Sequence, residues 1–252
     1  MNLNGLRVLN TRPLEQGLAL TKAINAANGV SIELPALTIL PTSDEWIHDF
    51  LKLNNINQAI FISANAVNYF YQKLKDHKLI WPLNIKITAI GKASAEALLK
   101  WDVHVDNIPK IANSLNLLQL SNLQEIKNQT ILLIKGEDGL DIIASKLIER
   151  GANLISLAVY KRSLPKISLQ QIQTIWHDDI VDIILFTSQE AMLSIFTLFG
   201  INGKDWIINK PCLVISDRLA DFAQKLGVKI VIVSPYDEIL SALEQYAGQN
   251  KG

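Results

Sequence analysis

The chain has 252 residues, with 24 Lys+Arg balanced by 24 Asp+Glu, 49% hydrophobic residues and 19% charged ones. This ordinary globular composition is enough for one large or two small domains. The balanced charge excludes a basic field for nucleic acid and a polybasic anchor for a membrane, so a polyanionic ligand has to be held by individually placed groups.

The single cysteine, Cys212, leaves no internal disulfide and reads as a buried free thiol. The histidines have no cysteine partner at ligand spacing, so neither a metal site nor an organic cofactor is expected. The N-terminus lacks a charged region followed by an apolar run, and no apolar stretch is long enough to span a bilayer. A cytoplasmic protein with no membrane partner is the expectation. No heptad or long apolar edge stands out, which points to a monomer.

In chain order, short β-branched apolar runs predict strands at 7–10, 31–34, 58–62, 86–90, 104–106, 130–134, 153–160, 182–186, 211–215 and 229–233. Segments of helical period lie between them, the pattern of parallel sheets covered by helices. Two kinds of segment occur twice. The first is a strand, a polar turn, a helix, a glycine and a second strand, from Arg7 through Gly29 to Leu34 and again from Ile131 through Gly151 to Ser156. The second pairs Ala59-Ile60-Phe61-Ile62-Ser63-Ala64-Asn65 with Ile183-Ile184-Leu185-Phe186-Thr187-Ser188-Gln189, and Ile87-Thr88-Ala89-Ile90-Gly91-Lys92 with Cys212-Leu213-Val214-Ile215-Ser216-Asp217.

This A-B-A′-B′ order predicts two similar α/β lobes. Either each A joins the B that follows it, or the middle B-A′ block is inserted between A and B′. Segments 35–41 and 159–165 both follow a strand and both carry proline, which favours insertion. The boundaries are then 1–35 with 166–252 for one lobe, 42–158 for the other, and 36–41 and 159–165 as linkers.

Ligands of open parallel sheets gather beyond the carboxyl ends of the strands, where helix N-termini present unpaired N–H groups. The polar turns at those ends make Arg12, Ser63, Ala64, Asn65, Gly91, Lys92, Ser94, Lys135, Gly136, Thr187, Ser188 and Ser216 the candidate binding residues. Ser63, Thr187 and Ser188 are more simply explained as helix N-caps. The Gly-rich stretch 135–139 lacks the spacing of a phosphate loop. No Ser–His–acid set or close carboxylate pair is legible. Tyr160, at a predicted strand end beside Lys161 and Arg162, is the remaining candidate for chemistry, and a half-buried aromatic at a lobe junction is its plainer reading.

Thr11-Arg12-Pro13, Phe61-Ile62-Ser63-Ala64-Asn65-Ala66-Val67, Ala89-Ile90-Gly91-Lys92-Ala93-Ser94-Ala95, Val159-Tyr160-Lys161-Arg162 and Phe186-Thr187-Ser188, in this order and spacing, resemble the uroporphyrinogen-III synthase family along almost the whole chain. The resemblance implies two flavodoxin-like lobes, the second inserted into the first and joined to it by a two-stranded linker. It also implies cyclisation of hydroxymethylbilane to uroporphyrinogen III, with loss of water and inversion of ring D. The substrate would lie in a cleft between the lobes, with Tyr160 as the catalytic aid. Hydroxyl residues usual in the family are replaced here by Ile62 and Leu219, and arginines by Lys135 and Leu140. The rival readings are a non-catalytic two-lobed binder of a small anion or metabolite, and an inactive family member kept for protein contacts.

Overall fold

A computed structural model describes residues 1–51, 55–82, 84–137 and 142–250. The chain divides into two compact units, Met1–Thr38 with Ser163–Gly252, and Ile39–Arg162. The first begins with β1 (Arg7–Asn10), α1 (Leu14–Ala26) and β2 (Val30–Glu33). The second contains β3 (Thr38–Pro41), α2 (Glu45–Leu51), β4 (Gln58–Phe61), α3 (Ala64–Asp76), β5 (Lys86–Ala89), α4 (Lys92–Leu99), α5 (Ser114–Leu118), β6 (Thr130–Gly136), α6 (Ile142–Glu149) and β7 (Asn153–Ser163). The chain then completes the first with α7 (Leu169–His177), β8 (Ile183–Phe186), α8 (Gln189–Asn209, broken at Gly200), β9 (Cys212–Val214), α9 (Asp217–Lys225), β10 (Val231–Val233) and α10 (Ile239–Asn250).

Each unit holds a five-stranded sheet, in the order β10-β9-β8-β1-β2 in the first and β3-β7-β6-β4-β5 in the second. Renumbered within its unit, the first sheet has the flavodoxin-like order 2-1-3-4-5. The second contains the same order permuted: β7-β6-β4-β5 occupies the places of β2-β1-β8-β9, with the chain entering at the third strand. The place of a fifth strand is taken by a single parallel bridge between Thr88 and Asn107. The A-B-A′-B′ repeat of the sequence is therefore a repeat of spatial position.

The central strands are mainly apolar because both faces of each sheet are covered. In the first sheet Leu9, Ile184, Phe186, Cys212 and Val214 pack on one face, and Val8, Ile183, Leu185 and Leu213 on the other. In the second, Phe61, Ile87, Leu132 and Ile134 face one core while Ile60, Ile131 and Leu133 face another. Burial of this kind stabilises by about 1.5–3 kcal/mol for each large side chain. Cys212 is fully buried, and burial pushes its thiol up to about 12.

Three local expectations need correction. Residues 104–106 form no strand, because the Asp106 carboxylate takes the Ile87 N–H at 2.7 Å, a donor that a continuing ladder would use. Thr38–Pro41, absent from the strands predicted from apolar runs, is an edge strand beside β7, where Pro41 costs little because an edge needs no second ladder. Strand β7 continues past the expected end at 160 to Ser163.

Candidate active site

In a 2-1-3-4-5 sheet the connections leave the first and third strands in opposite directions, and a crevice opens between their carboxyl ends. In the first unit this switch point lies between β1 and β8. The Thr11 hydroxyl ties the two together by donating to the Leu185 carbonyl at 2.6 Å, and it is fully buried. Asn10, also buried, accepts from the Arg12 N–H at 3.3 Å and donates to Thr21 Oγ1 at 3.1 Å, which fixes the entry into α1. Arg12 is thereby held at the turn, with its guanidinium 4.7 Å from the centroid of the Tyr236 ring and donating to the Tyr236 hydroxyl.

Tyr236 was not among the candidates from sequence. It follows the carboxyl end of β10 in the turn Ser234-Pro235-Tyr236, so the rule that selected the other turns would also have selected this one. Of the other turn residues of this unit, Thr187 is half-buried. Ser188 caps α8 by accepting from the Ala191 N–H at 3.0 Å, and Ser216 caps α9 by accepting from the Leu219 N–H at 3.4 Å. Leu219 is 3% exposed and packs in the core, so it offers this turn no side-chain hydrogen bond.

In the second unit the switch point lies between β6 and β4, and there three of the candidates meet. Ser63 caps α3, with its Oγ accepting from the Ala66 N–H at 3.0 Å. The same hydroxyl donates to the hydroxyl of Tyr160 at 3.2 Å. Tyr160 reaches it because the β6–β7 register shifts between Lys135 and Gly136: Lys135 pairs with Ala158, but Gly136 pairs with Tyr160. The Tyr160 ring then lies directly over Gly136, where a Cβ would stand 2.7 Å from Cζ and 2.9 Å from Cε2. The ring also stacks on Tyr69, with centroids 6.0 Å apart.

Tyr160 is thus 5% exposed and inside its strand, rather than half-buried at the end of one. Strand alternation turns the neighbouring Lys161, which is exposed, to the opposite face.

The remaining candidates are spread around this point. Ala64 and Asn65 open α3, so their N–H groups belong to its unpaired first turn. Lys135 is half-buried at the end of β6. Lys92 is an exposed side chain 3.8 Å from Glu96, and its backbone opens α4. Ser94 is 3% exposed on the buried side of α4, which removes its side chain from the accessible turn. Asp138, Gly139 and Leu140 lie outside the described residues.

Gly91 precedes α4 with extended backbone, and a Cβ there would meet the Ala112 Cβ at 2.5 Å. Gly91→Ala is expected to destabilise the unit by about 1–3 kcal/mol, because two backbone segments have to part. Its melting midpoint, compared with that of the parent chain, checks this.

Among the described residues, no three His, Cys, Asp or Glu side chains are grouped so as to hold a metal ion, and no helix is long and apolar enough to cross a membrane. In the first unit the turn residues are Arg12 and the capping hydroxyls of Ser188 and Ser216, groups suited to holding carboxylates, and in the second they are Ser63 and Tyr160, whose hydroxyls are suited to moving a proton.

Known proteins agree with this fold. The structure of a mutant uroporphyrinogen III synthase from Thermus thermophilus matches 97% of this chain and 99% of its own with a TM-score of 0.66 at 18% identity. That of uroporphyrinogen-III synthetase from Helicobacter pylori matches 99% and 100% with a TM-score of 0.65 at 16% identity. In sequence, the uroporphyrinogen-III synthase of Salmonella typhimurium is 27% identical over 252 residues, covering 95% of this chain and 100% of the relative. That of Chlorobaculum parvum is 26% identical over 233 residues, covering 91% and 93%. The family described as Uroporphyrinogen-III synthase HemD matches residues 19–244, nearly the whole of both units, and the chain belongs to that family.

Proposed function

We propose that the chain carries out its family's reaction, in which hydroxymethylbilane loses water from its terminal hydroxymethyl group, ring D is inverted through a spiro intermediate, and the macrocycle closes as uroporphyrinogen III. The observation that carries the catalytic assignment is the meeting of Tyr160, Ser63 and Gly136 at a sheet switch point. Since Ser63 donates to the Tyr160 hydroxyl, the phenolic proton is not used in that bond and is free to pass to the leaving hydroxyl. Accepting one hydrogen bond also polarises an O–H group for donating another.

The electron-rich pyrroles expel the hydroxyl group readily, as water, once an acid protonates it. The larger task is to hold a polycarboxylate chain so that the inverted ring is the end that closes. Arg12 and the N-terminal N–H groups of the helices capped by Ser63, Ser188 and Ser216 are assigned to the substrate carboxylates. Each helix end contributes about 0.3–1 kcal/mol toward an anion where exposed. Binding by placed groups suits a chain with 24 basic and 24 acidic residues. The same balance fits a protein that works without nucleic acid or a membrane surface. The division of the chain into Met1–Thr38 with Ser163–Gly252, and Ile39–Arg162, supports reading the second lobe as an insertion into the first.

The test is to supply freshly made hydroxymethylbilane and separate the product isomers. The type III isomer is expected well above the spontaneous type I background, at a rate unchanged by exhaustive chelation and removal of nucleotides. Type I alone at the spontaneous rate would overturn catalysis in favour of an anion binder. Activity lost on chelation and restored by a divalent ion would overturn the cofactor-free reading.

A further inference from the structure

Arg12 and Tyr236 stand at turns that follow different strands of the first unit. In the order β10-β9-β8-β1-β2, the strands they follow, β1 and β10, are separated by β8 and β9. At about 4.8 Å per strand the two turns start about 14 Å apart, a gap that an arginine and a tyrosine close only by reaching toward each other. Their contact therefore spans the carboxyl ends of β8 and β9, where α8 and α9 begin at Ser188 and Ser216.

Two features of this contact bear on a carboxylate ligand. The first is that the acceptor is a phenol, which holds the guanidinium without cancelling its charge, as an aspartate or glutamate would. Asp237 and Glu238 follow Tyr236 in the chain, yet no ion pair to Arg12 occurs among the described residues. The second is directional. With its oxygen accepting from Arg12, the Tyr236 hydroxyl keeps its own proton, and no protein group accepts that proton among the described residues. Tyr236 is 49% exposed, so a ligand can meet it. Arg12 Nε is buried and out of a ligand's reach, which leaves the donors on the terminal nitrogens.

We propose that Tyr236 is a further substrate-binding residue: it fixes the Arg12 guanidinium with its charge intact and donates its own proton to the same substrate carboxylate. This role rests on the reaction proposed above and places no reacting atom at Tyr236. An arginine held in place by a group other than its ligand has less rotamer freedom to lose when the carboxylate arrives.

The test uses the full chain and two readouts. Uroporphyrin III, the stable oxidised form of the cyclised product with the same carboxylates, is bound by equilibrium dialysis, and KM and kcat are measured with hydroxymethylbilane. Tyr236→Phe should raise the uroporphyrin Kd and the KM alike by about three- to tenfold, the range of one hydrogen bond. Its kcat should stay within about twofold of the parent, the pattern of binding lost equally from ground and transition states. Tyr236→Glu separates this role from a merely structural one. A carboxylate there can still hold Arg12 in place, but it cancels the charge and repels the ligand, so both constants should rise at least about threefold beyond those of Tyr236→Phe. Melting midpoints near that of the parent are expected, because the side chain is half exposed. Unchanged constants in a folded Tyr236→Phe would overturn the proposal. A Tyr236→Glu that binds as well as Tyr236→Phe would do the same, since that is the result if the tyrosine only props Arg12. If the parent chain forms no type III isomer above background, the reaction is overturned while dialysis still decides whether Tyr236 meets a tetrapyrrole carboxylate. A parent chain that neither cyclises nor binds would overturn both.

Discussion

Tyr160→Phe is expected to lower the initial rate of uroporphyrinogen III formation by up to about 10²-fold, the lower end of what a positioned general acid contributes. The effect stays at that end because the substrate loses water readily without help. Folding should be nearly unaffected: the ring keeps its place over Gly136 and against Tyr69, and only the bond from Ser63 is lost. Ser63 still caps α3 through the Ala66 N–H. The loss should therefore appear in kcat more than in KM. Rates are read as the type III isomer after subtraction of spontaneous type I. A wild-type rate would remove the tyrosine from the chemistry and leave binding geometry as the source of catalysis.

Gly136→Ala is expected to lower the rate by up to the same amount, although it removes no reactive group. Its new methyl would stand 2.7 Å from Tyr160 Cζ and 3.1 Å from the hydroxyl, closer than non-bonded atoms approach. The ring cannot retreat freely, because Tyr69 stacks against it and Ser63 holds its hydroxyl. Overpacking of this kind costs about 1–3 kcal/mol of stability. A displacement of about 1 Å at a proton donor is enough to cost about 10²-fold in rate. The two substitutions act on one atom, so the double variant should be little slower than Tyr160→Phe alone. Additive losses would mean that Gly136 acts by another route. A less stable Gly136→Ala enzyme with full activity would mean that the tyrosine need not sit where it does.

The α/β class, nine of the ten predicted strands and the twofold recurrence of each segment type could be read from the chain, because apolar runs, turn residues and glycines are local signals. The capping roles of Ser63 and Ser188 were legible for the same reason, since a cap needs only its own helix start, whereas Thr187, read the same way, is not the cap and Ser216, which is one, was read only as a binding residue. What sequence left open was which strands become neighbours. The permuted order β7-β6-β4-β5 depends on pairing between residues far apart in the chain, and apolar runs of similar composition do not encode their register. Tyr160 illustrates the consequence. From sequence it was an aromatic beside two cations, whereas the register shift at Gly136 brings its hydroxyl to Ser63, 97 residues away. Arg12 was visible as a cation at a turn, but its partner Tyr236 lies 224 residues on. Composition, period and turn chemistry thus determined the elements and the strand ends where polar residues gather. Only the tertiary structure decided which of those residues touch, because that depends on long-range strand order and on one bulge.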